Sequence, residues 1–355
     1  MNSILNINYD PKDQPMFLGD SLGAARYDRI KYPIIEKMYK EMRSFFWQPY
    51  EITLTEDKRD FNNKMSEEQK FIFSSVLSRQ VILDSIQQRG PIEVLSKYAS
   101  IPELEPLLLT YAYMEQIHSE SYSWTIRNVY NEPDKIFNNI SQIPIMIDCV
   151  ERTTKFYDQL NHTPSKKNLL LCLFSVNALE AIQFYASFAC SFAFAENDLM
   201  HKNAKLIKLI ARDEAVHHNM TKIIIQLLLR DEPEYIQIFE DNKEEFEQIY
   251  FDVADMEKKF ADYVFQNGSM FGINSQMLKS YIDFVTTKAM RKIGLKYHTP
   301  VSQNPLPYMD KHLNTAEQQD SPQEEEVIDY LQGVEDDVTE EKINNLHKKF
   351  SAYVD

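Results

Sequence analysis

The sequence predicts an all-α fold in which several long helices form a bundle around one almost uncharged helix. Glycine is scarce, with 7 among 355 residues, which disfavours sheets joined by tight turns and Gly-rich phosphate loops. Hydrophobic residues make up 43% of the chain, enough for a large core in one big domain or two. In several segments apolar residues recur at steps of three or four, the period of a helix with one buried face.

The segment from residue 102 to 130 places polar side chains on the apolar face of one helix. Burying an ionised carboxylate without a partner costs several kcal/mol, so Glu115 requires a cation, a metal ion or a proton beside it. Ser100 and Glu103 are predicted to cap the start of this helix. The residues on its apolar face are Leu104, Leu108, Tyr111, Glu115, His118, Tyr122, Ile126 and Val129.

A second helix, about a hundred residues later, repeats the same insertion of polar residues. Its apolar face contains Glu214 and His217, and the chain has no Glu-x-x-His pair besides this one and Glu115-x-x-His118. Two such pairs on separate helices are the ligand pattern of four-helix di-metal carboxylate proteins. That pattern also requires one acid from each of two further helices, so two more acids are expected.

Asp84 and Glu180 are the candidates for those two acids. Asp84 interrupts the apolar face of a helix that begins at Ser66 with a capping box to Gln69. Taken alone, Asp84 also fits a surface acid or a hydrogen-bonded core group. Glu180 is the one charged residue among the 27 residues from 169 to 195. The predicted metal ligands are Asp84, Glu115, His118, Glu180, Glu214 and His217.

Four carboxylates and two imidazoles suit a pair of iron or manganese ions, whose charge they balance. Zinc more often recruits cysteine or a three-ligand open site, and calcium does not favour imidazole. Tyr122 follows His118 by four residues and is either a core tyrosine bonded to a ligand or a redox-active phenol. Asp213 either accepts a hydrogen bond from a ligand histidine or pairs with a neighbouring arginine. Taken alone, Trp47 is predicted to be an aromatic plug at a helix end.

Charge and cysteine usage exclude several classes of partner. The net charge is −16 and no basic stripe is present, so neither nucleic acid nor an anionic membrane surface is an expected partner. Three cysteines without a C-x-x-C motif, together with an N-terminus that lacks a secretory signal, indicate a reduced, cytoplasmic protein. Residues 169–195 could span a bilayer as a helix of ~40 Å. Their interspersed serine, asparagine and glutamine residues favour a central bundle helix instead.

Composition divides the chain into three parts. Residues 1–30 are predicted to form an N-terminal arm, and residues 31–312 a helical domain with the metal site. Residues 313–355 are predicted to be a flexible, disordered acidic tail, which composition alone explains as a solubilising segment. Tyr330 lies in a short apolar island within that tail.

Three segments, residues 115–122, 175–185 and 211–217, resemble the small, radical-generating subunit of class I ribonucleotide reductase. Shorter matches at residues 45–47, 83–87, 268–270 and 304–307 extend the resemblance over nearly the whole chain, and it is closest to the iron-tyrosyl subclass. The resemblance implies a ferritin-like helical bundle that binds two iron ions per chain, bridged as Fe–O–Fe, with manganese possible at the same ligands. It also implies a homodimer.

The resemblance further implies how the subunit works. With O2 and the metal pair, Tyr122 becomes a stable tyrosyl radical inside an apolar pocket formed by Phe184, Phe188 and Ile210. Trp47, Asp213 and Tyr330 match the residues that relay the radical to the large subunit. That subunit binds the C-terminal tail and reduces ribonucleotides to the deoxyribonucleotides needed for DNA replication.

Two alternatives share the same ligand set. A ferritin-like di-iron storage protein would offer no role for Tyr122 or for an acidic tail. A di-iron oxygenase or desaturase would require a substrate channel rather than a buried phenol. The fold alone does not choose between these classes.

Overall fold

The computed structural model describes residues 5–314 of the chain. Within that range the all-α prediction is confirmed, because the chain forms thirteen α-helices and no β-structure beyond isolated bridges. A π-helical turn, Leu179–Gln183, directly joins the α-helices Lys166–Ala178 and Phe184–Glu196. The α-helices are α1 (Pro33–Ser44), α2 (Thr55–Asn63), α3 (Glu67–Gln87), α4 (Leu104–Val129), α5 (Pro133–Ile140), α6 (Pro144–His162), α7 (Lys166–Ala178), α8 (Phe184–Glu196), α9 (His201–Asp231), α10 (Pro233–Asp241), α11 (Lys243–Val264), α12 (Ser275–Lys292) and α13 (Tyr308–Leu313).

Helix α3 begins where the sequence predicts. The Ser66 hydroxyl accepts a hydrogen bond from the backbone N–H of Gln69, and the Gln69 side chain accepts one from the backbone N–H of Ser66. This reciprocal capping satisfies two N–H groups that the first helical turn leaves without partners. The helix then carries Asp84 to a completely buried position in its last turn.

The predicted cap of α4 is wrong. One carboxylate oxygen of Glu103 instead accepts hydrogen bonds from the backbone N–H groups of Lys31, at 2.9 Å, and Tyr32, at 2.7 Å. The Ser100 hydroxyl accepts one from the backbone N–H of Gly19 at 2.7 Å. Both side chains therefore hold the N-terminal segment and the start of α1 rather than their own helix.

The segment before α1 runs over the loop that precedes α4. Phe17 forms an antiparallel bridge with Ala99, and the backbone N–H of Leu18 donates to the carbonyl of Tyr98 at 2.8 Å. The phenol of Tyr9 donates to the carbonyl of Ser100 at 2.7 Å. These bonds satisfy backbone groups of two irregular segments at once.

The almost uncharged stretch forms the continuous helical segment Lys166–Glu196, which includes the π turn. It is long and apolar enough to cross a membrane, but 89% of its most apolar 18-residue stretch is buried inside the fold. Helix α8 packs against α3, α9 and α12, and α7 packs against α6, α9 and α11. The prediction of a central bundle helix is confirmed, and this burial is typical of the core helix of a soluble protein.

Helices α3, α4, α9 and the α7–α8 segment form the group that positions the predicted ligands. Contacts join α3 to α4, α3 to α8, α4 to α9, and α9 to both α7 and α8. The remaining helices cover this group, and α1 packs against α4 and α9. Asn242 separates α10 from α11 with a non-helical φ of −126°.

Candidate metal centre

The bundle brings all six predicted ligands together in two overlapping clusters. Asp84, Glu115, His118 and Glu214 form the Asp84 cluster, and Glu115, Glu180, Glu214 and His217 form the Glu180 cluster. In each cluster the possible ligand atoms lie within 4.8 Å of one another, and all six side chains are completely buried. Since Glu115 and Glu214 belong to both clusters, they are placed to bridge two ions.

Each histidine directs Nδ1 at the carboxylates. His118 Nδ1 lies 3.0 Å from Glu214 Oε1, and His217 Nδ1 lies 2.8 Å from Glu115 Oε1 and 3.0 Å from Glu214 Oε2. The helical spacing of three residues in each Glu-x-x-His pair puts acid and imidazole on one face of α4 and α9. The two helices therefore present matching ligand pairs to each other.

The ligand atoms fit a pair of metal ions because most of them have no hydrogen-bond donor. Buried polar atoms without a partner are costly, and an uncompensated carboxylate is costlier still. Beyond the close contacts with the two histidines, the described residues give no well-aligned hydrogen bond to the following buried ligand atoms: both carboxylate oxygens of Asp84 and Glu115, Glu180 Oε2, Glu214 Oε1, His118 Nδ1 and His217 Nε2. Oxygen and imidazole ligands in this number suit iron or manganese.

The electrostatics of the protein alone show the same need for cations. Burial, together with the charges of Glu115 and Glu214, raises the pKa of Asp84 well above its usual value. Burial and the same two carboxylates also raise the pKa of Glu180. In the opposite direction, Glu115 and Glu214 outweigh the effect of burial and raise the pKa of His217 to about 9. Four carboxylates this close repel one another unless positive charge lies between them.

Glu180 reaches the site from the π turn at Leu179–Gln183. A π turn widens the helix locally and changes the direction of the side chains it carries, and such turns are frequent at functional sites. Gln183, at the end of the turn, donates to Glu257 Oε1 at 3.4 Å, and Glu257 forms a completely buried ion pair with Arg79. The turn is thereby attached to α3 and α11.

Trp47 and Asp213 lie beside the Asp84 cluster. The indole N–H of Trp47 donates to Asp213 Oδ2 at 2.8 Å, and the same oxygen lies 3.3 Å from His118 Nε2. The rings of Trp47 and His118 are stacked with centroids 6.2 Å apart. Asp213 Oδ1 also accepts from Arg212 Nε at 3.1 Å, so both alternatives for Asp213 are realised. Arg212 and His118 outweigh burial and hold the pKa of Asp213 below its usual value.

Tyr122 lies on α4, one turn after His118, and only 1% of its surface is exposed. Its hydroxyl lies beside the Asp84 carboxylate. Burial, followed by the negative charge of Asp84, raises the pKa of this phenol well above its usual value. Phe184 and Phe188 on α8 are fully buried with ring centroids 6.0 Å apart, and Ile210 on α9 is also fully buried. Tyr330 and the predicted tail from residue 315 onward lie outside the described residues.

Sequence reasoning missed Tyr111 and Gln87, which contact Glu180 directly. The phenol of Tyr111 donates to Glu180 Oε1, and Gln87 Nε2 donates to the same oxygen at 2.6 Å. Tyr111 stood on the predicted apolar face of its helix, which could have pointed to it. Gln87 gave no such signal, because its role depends on contacts with residues distant in sequence.

Four helices of a bundle that together supply four carboxylates and two imidazoles define a di-metal carboxylate protein. The chain belongs to the family of ribonucleotide reductase small chains. The family model "Ribonucleotide reductase, small chain" matches residues 24–305. Ribonucleoside-diphosphate reductase 1 subunit beta of Escherichia coli O157:H7 is 40% identical over an alignment 364 positions long, gaps included, which spans 95% of this chain and 96% of that protein.

Solved structures agree with this assignment. The ribonucleotide reductase R2 subunit from Clostridium botulinum superposes with a TM-score of 0.80 at 27% identity, over 88% of this chain and 99% of that one. A dimanganese(II) protein of Streptococcus sanguinis shares the fold, with a TM-score of 0.70 at 22% identity over 81% of this chain and 98% of its own. The ferritin-like fold is therefore confirmed.

Family membership makes the chain a subunit of an oxidoreductase. Small chains of this family have a dinuclear centre of iron or manganese, partner with a large subunit and in general form dimers. The alternatives of iron storage and of a di-iron oxygenase are not favoured, because the match extends over most of the chain.

Proposed function

We propose that the chain is the radical-generating subunit of a class I ribonucleoside-diphosphate reductase. It uses O2 and a dinuclear metal centre to oxidise Tyr122, and it passes the oxidation to a large subunit that reduces ribonucleotides to deoxyribonucleotides. The observation that carries this proposal is a buried phenol beside the Asp84 carboxylate, on the same helical face as Glu115 and His118. Neither iron storage nor hydroxylation explains a phenol in that position.

Asp84, Glu115, His118, Glu180, Glu214 and His217 would hold two iron ions per chain, and the same ligands would accept manganese. When bound, the metal pair supplies the oxidising power, with O2 as the oxidant. Tyr122 loses one electron and its phenolic proton. Asp84, whose charge raises the pKa of this phenol, is the nearest candidate to accept that proton.

Burial protects the oxidised Tyr122. A phenoxyl radical is quenched by small reductants and hydrogen-atom donors that reach the ring from solvent. Phe184, Phe188 and Ile210 are fully buried, and we assign them to the apolar pocket around Tyr122. Because these side chains have no polar atoms, they exclude solvent without offering hydrogen bonds or electrons.

The proposed path by which the radical leaves the bundle begins at the Asp84 cluster. His118, Asp213 and Trp47 form a continuous contact chain, in which Asp213 Oδ2 faces both His118 Nε2 and the Trp47 indole N–H. We assign this chain as the first part of the relay, with Tyr330 as the next carrier and residues 313–355 as the segment that docks on the large subunit. Asp213 keeps the Trp47 ring in place and is positioned to accept the indole proton when Trp47 is oxidised.

We also assign the chain to the cytoplasm and to a homodimer. Cys149, Cys172 and Cys190 are free and buried, as expected in a reducing compartment. A groove of about 350 Å³ lies between α4 and the end of α1 with the residues that follow it, and several of its apolar side chains are half exposed. They include Phe46 at 59%, Leu109 at 50% and Tyr113 at 47% exposure, which suits an interface with a second copy.

The two tryptophans of the chain give a matched test of the relay. Trp47→Phe removes an oxidisable ring that contacts His118 and Asp213. Trp124→Phe removes an indole that donates only to the backbone carbonyl of Ile52 at 3.1 Å. With the large subunit and a ribonucleoside diphosphate, Trp47→Phe is expected to lose turnover while it keeps the metal centre and the Tyr122 radical. Trp124→Phe is expected to retain turnover.

Full nucleotide reduction by Trp47→Phe would contradict the relay. A protein that binds metal but supports no reduction with any large subunit, even without substitution, would contradict the proposed function itself.

A further inference from the structure

The two carboxylate oxygens of Glu180 have different surroundings. Oε1 accepts a hydrogen bond from Gln87 Nε2 at 2.6 Å and a second from the phenol of Tyr111. Oε2 has no hydrogen-bond partner. Glu180, Tyr111 and Gln87 are all completely buried, so no solvent competes for these bonds. One oxygen is therefore held by protein donors, and the other is left available as a ligand atom.

Tyr111 contacts a second ligand of the same cluster. Its ring packs against the His217 imidazole with centroids 4.5 Å apart and an interplanar angle of 59°. Glu180 and His217 both belong to the Glu180 cluster, and neither belongs to the Asp84 cluster. Tyr111 therefore touches the two residues that distinguish one metal position from the other.

Hydrogen bonds to two tyrosines hold the Gln87 amide in one orientation. Its Nε2 also donates to the Tyr111 oxygen at 2.6 Å, and its Oε1 accepts from the phenol of Tyr157 on α6 at 3.1 Å. A flipped amide would face the Glu180 carboxylate with an oxygen and lose these bonds. Tyr157 in turn fits only because Gly90 has no side chain, since a Cβ there would lie 2.2 Å from Tyr157 Cζ.

We propose that Tyr111 and Gln87 are positioning residues that set the metal affinity of the Glu180 cluster, with Tyr157 and Gly90 as their support. This inference rests on the proposed metal centre and adds an asymmetry to it. Hydrogen bonds to a ligand carboxylate fix its orientation, and loss of such partners typically weakens metal binding by about 10–100-fold. The Asp84 cluster is oriented by different residues, Trp47 and Asp213, so the effect is confined to one ion.

The test is a Mn²⁺ titration of the metal-free protein without O2, followed by equilibrium dialysis and EPR. The unmodified protein is expected to bind two Mn²⁺ per chain and to show the spectrum of a coupled pair when full. Tyr111→Phe and Gln87→Met are each expected to lower the affinity for one of the two Mn²⁺ ions by about 10–100-fold. The affinity for the other ion is expected to stay unchanged. Mononuclear Mn²⁺ signals then persist at concentrations where the unmodified protein is fully loaded.

Tyr157→Phe loses only the distant bond to Gln87, so its effect on the same ion is expected to be smaller than that of Tyr111→Phe. Tyr130→Phe is the matched control, because this buried phenol is bonded to the Ser74 hydroxyl at 2.7 Å and touches no ligand. It is expected to bind both ions normally.

Three outcomes would overturn the inference. The first is normal binding of both ions by Tyr111→Phe and Gln87→Met. The second is an equal drop in the affinity for both ions in these two variants. The third is a drop in Tyr130→Phe as large as that in Tyr111→Phe. Failure of the unmodified protein to bind two Mn²⁺ would instead reject the metal centre of the proposed function.

Discussion

Glu180 illustrates how a single residue is constrained by the cost of burying charge. It is fully buried in the least charged segment of the chain, and burial together with Glu214 and Glu115 raises the pKa of its carboxyl. Without cations the cluster of four carboxylates is electrostatically unfavourable. Removal of one acid therefore relieves repulsion in the metal-free protein while it removes a ligand.

Glu180→Ala is accordingly expected to lose the ion of the Glu180 cluster, and with it the intact metal pair, while it keeps its helical content. The measurements are metal analysis after reconstitution with ferrous iron and far-UV circular dichroism of the metal-free protein. Exposed Glu93→Ala serves as the control and is expected to bind metal normally. Two metal ions per chain with unchanged affinity in Glu180→Ala would contradict the four-acid assignment.

The ligands could be predicted from the sequence because their signal is local. An acid and an imidazole three residues apart on an apolar face are visible in a single helix, and their burial requires a partner. The Tyr111 and Gln87 bonds to Glu180 are not local, since they join positions 69 and 93 residues apart. The contacts of Asp213 were partly predictable, because its sequence position suggested two possible partners and the structure provides both.

At the scale of secondary structure, long helices were predictable and their ends often were not. The capping box of α3 uses residues three apart and was predicted, whereas Glu103 caps nothing in its own helix because it binds backbone N–H groups 71 and 72 residues away. The π turn also left no signal in the sequence. Its apolar residues continue the pattern of α7 and α8, and only tertiary packing shows that the helix widens at Glu180.

The buried ion pair between Arg79 and Glu257 links three elements around the π turn. Arg79 lies on α3, Glu257 on α11, and Gln183 of the turn donates to Glu257. The Arg79 guanidinium also lies over the Phe260 ring, 4.9 Å from its centroid. Removing one member of a buried ion pair leaves the other charge without compensation.

Arg79→Met is therefore expected to lower the free energy of unfolding by about 3–5 kcal/mol, measured by urea denaturation of the metal-free protein. The double variant Arg79→Met/Glu257→Met removes both charges and is expected to recover most of that loss. If the double variant is as unstable as the single one, the loss comes from packing and not from the uncompensated Glu257 carboxylate.

At the scale of the whole molecule, we assign different roles to the described bundle and to the residues that lie outside it. Metal binding and oxidation of Tyr122 are proposed to require only the helices, and delivery to the large subunit is proposed to require residues 313–355. A segment that orders on binding loses conformational freedom at that moment, so its affinity is expected to be modest and reversible.

Truncation after Gln319 is expected to abolish binding to the large subunit, measured by sedimentation, while the Tyr122 radical still forms. Tyr330→Phe is expected to preserve both binding and the radical and to eliminate turnover, because a phenylalanine ring is much harder to oxidise. Tyr353→Phe, in the same tail, is the matched control and is expected to turn over normally. Normal nucleotide reduction by Tyr330→Phe would remove the tail tyrosine from the path, whatever the truncation shows.

The most direct measurement of the central claim is the EPR spectrum of the chain after loading with ferrous iron and exposure to O2. The account predicts an organic-radical signal and a sharp radical absorption, with hyperfine structure that changes when the protein contains ring-deuterated tyrosine. Both signals are expected to vanish in Tyr122→Phe, at unchanged iron content, and to persist in Tyr130→Phe. An unchanged radical signal in Tyr122→Phe would contradict the assignment of this chain as a subunit that stores its oxidising equivalent on Tyr122.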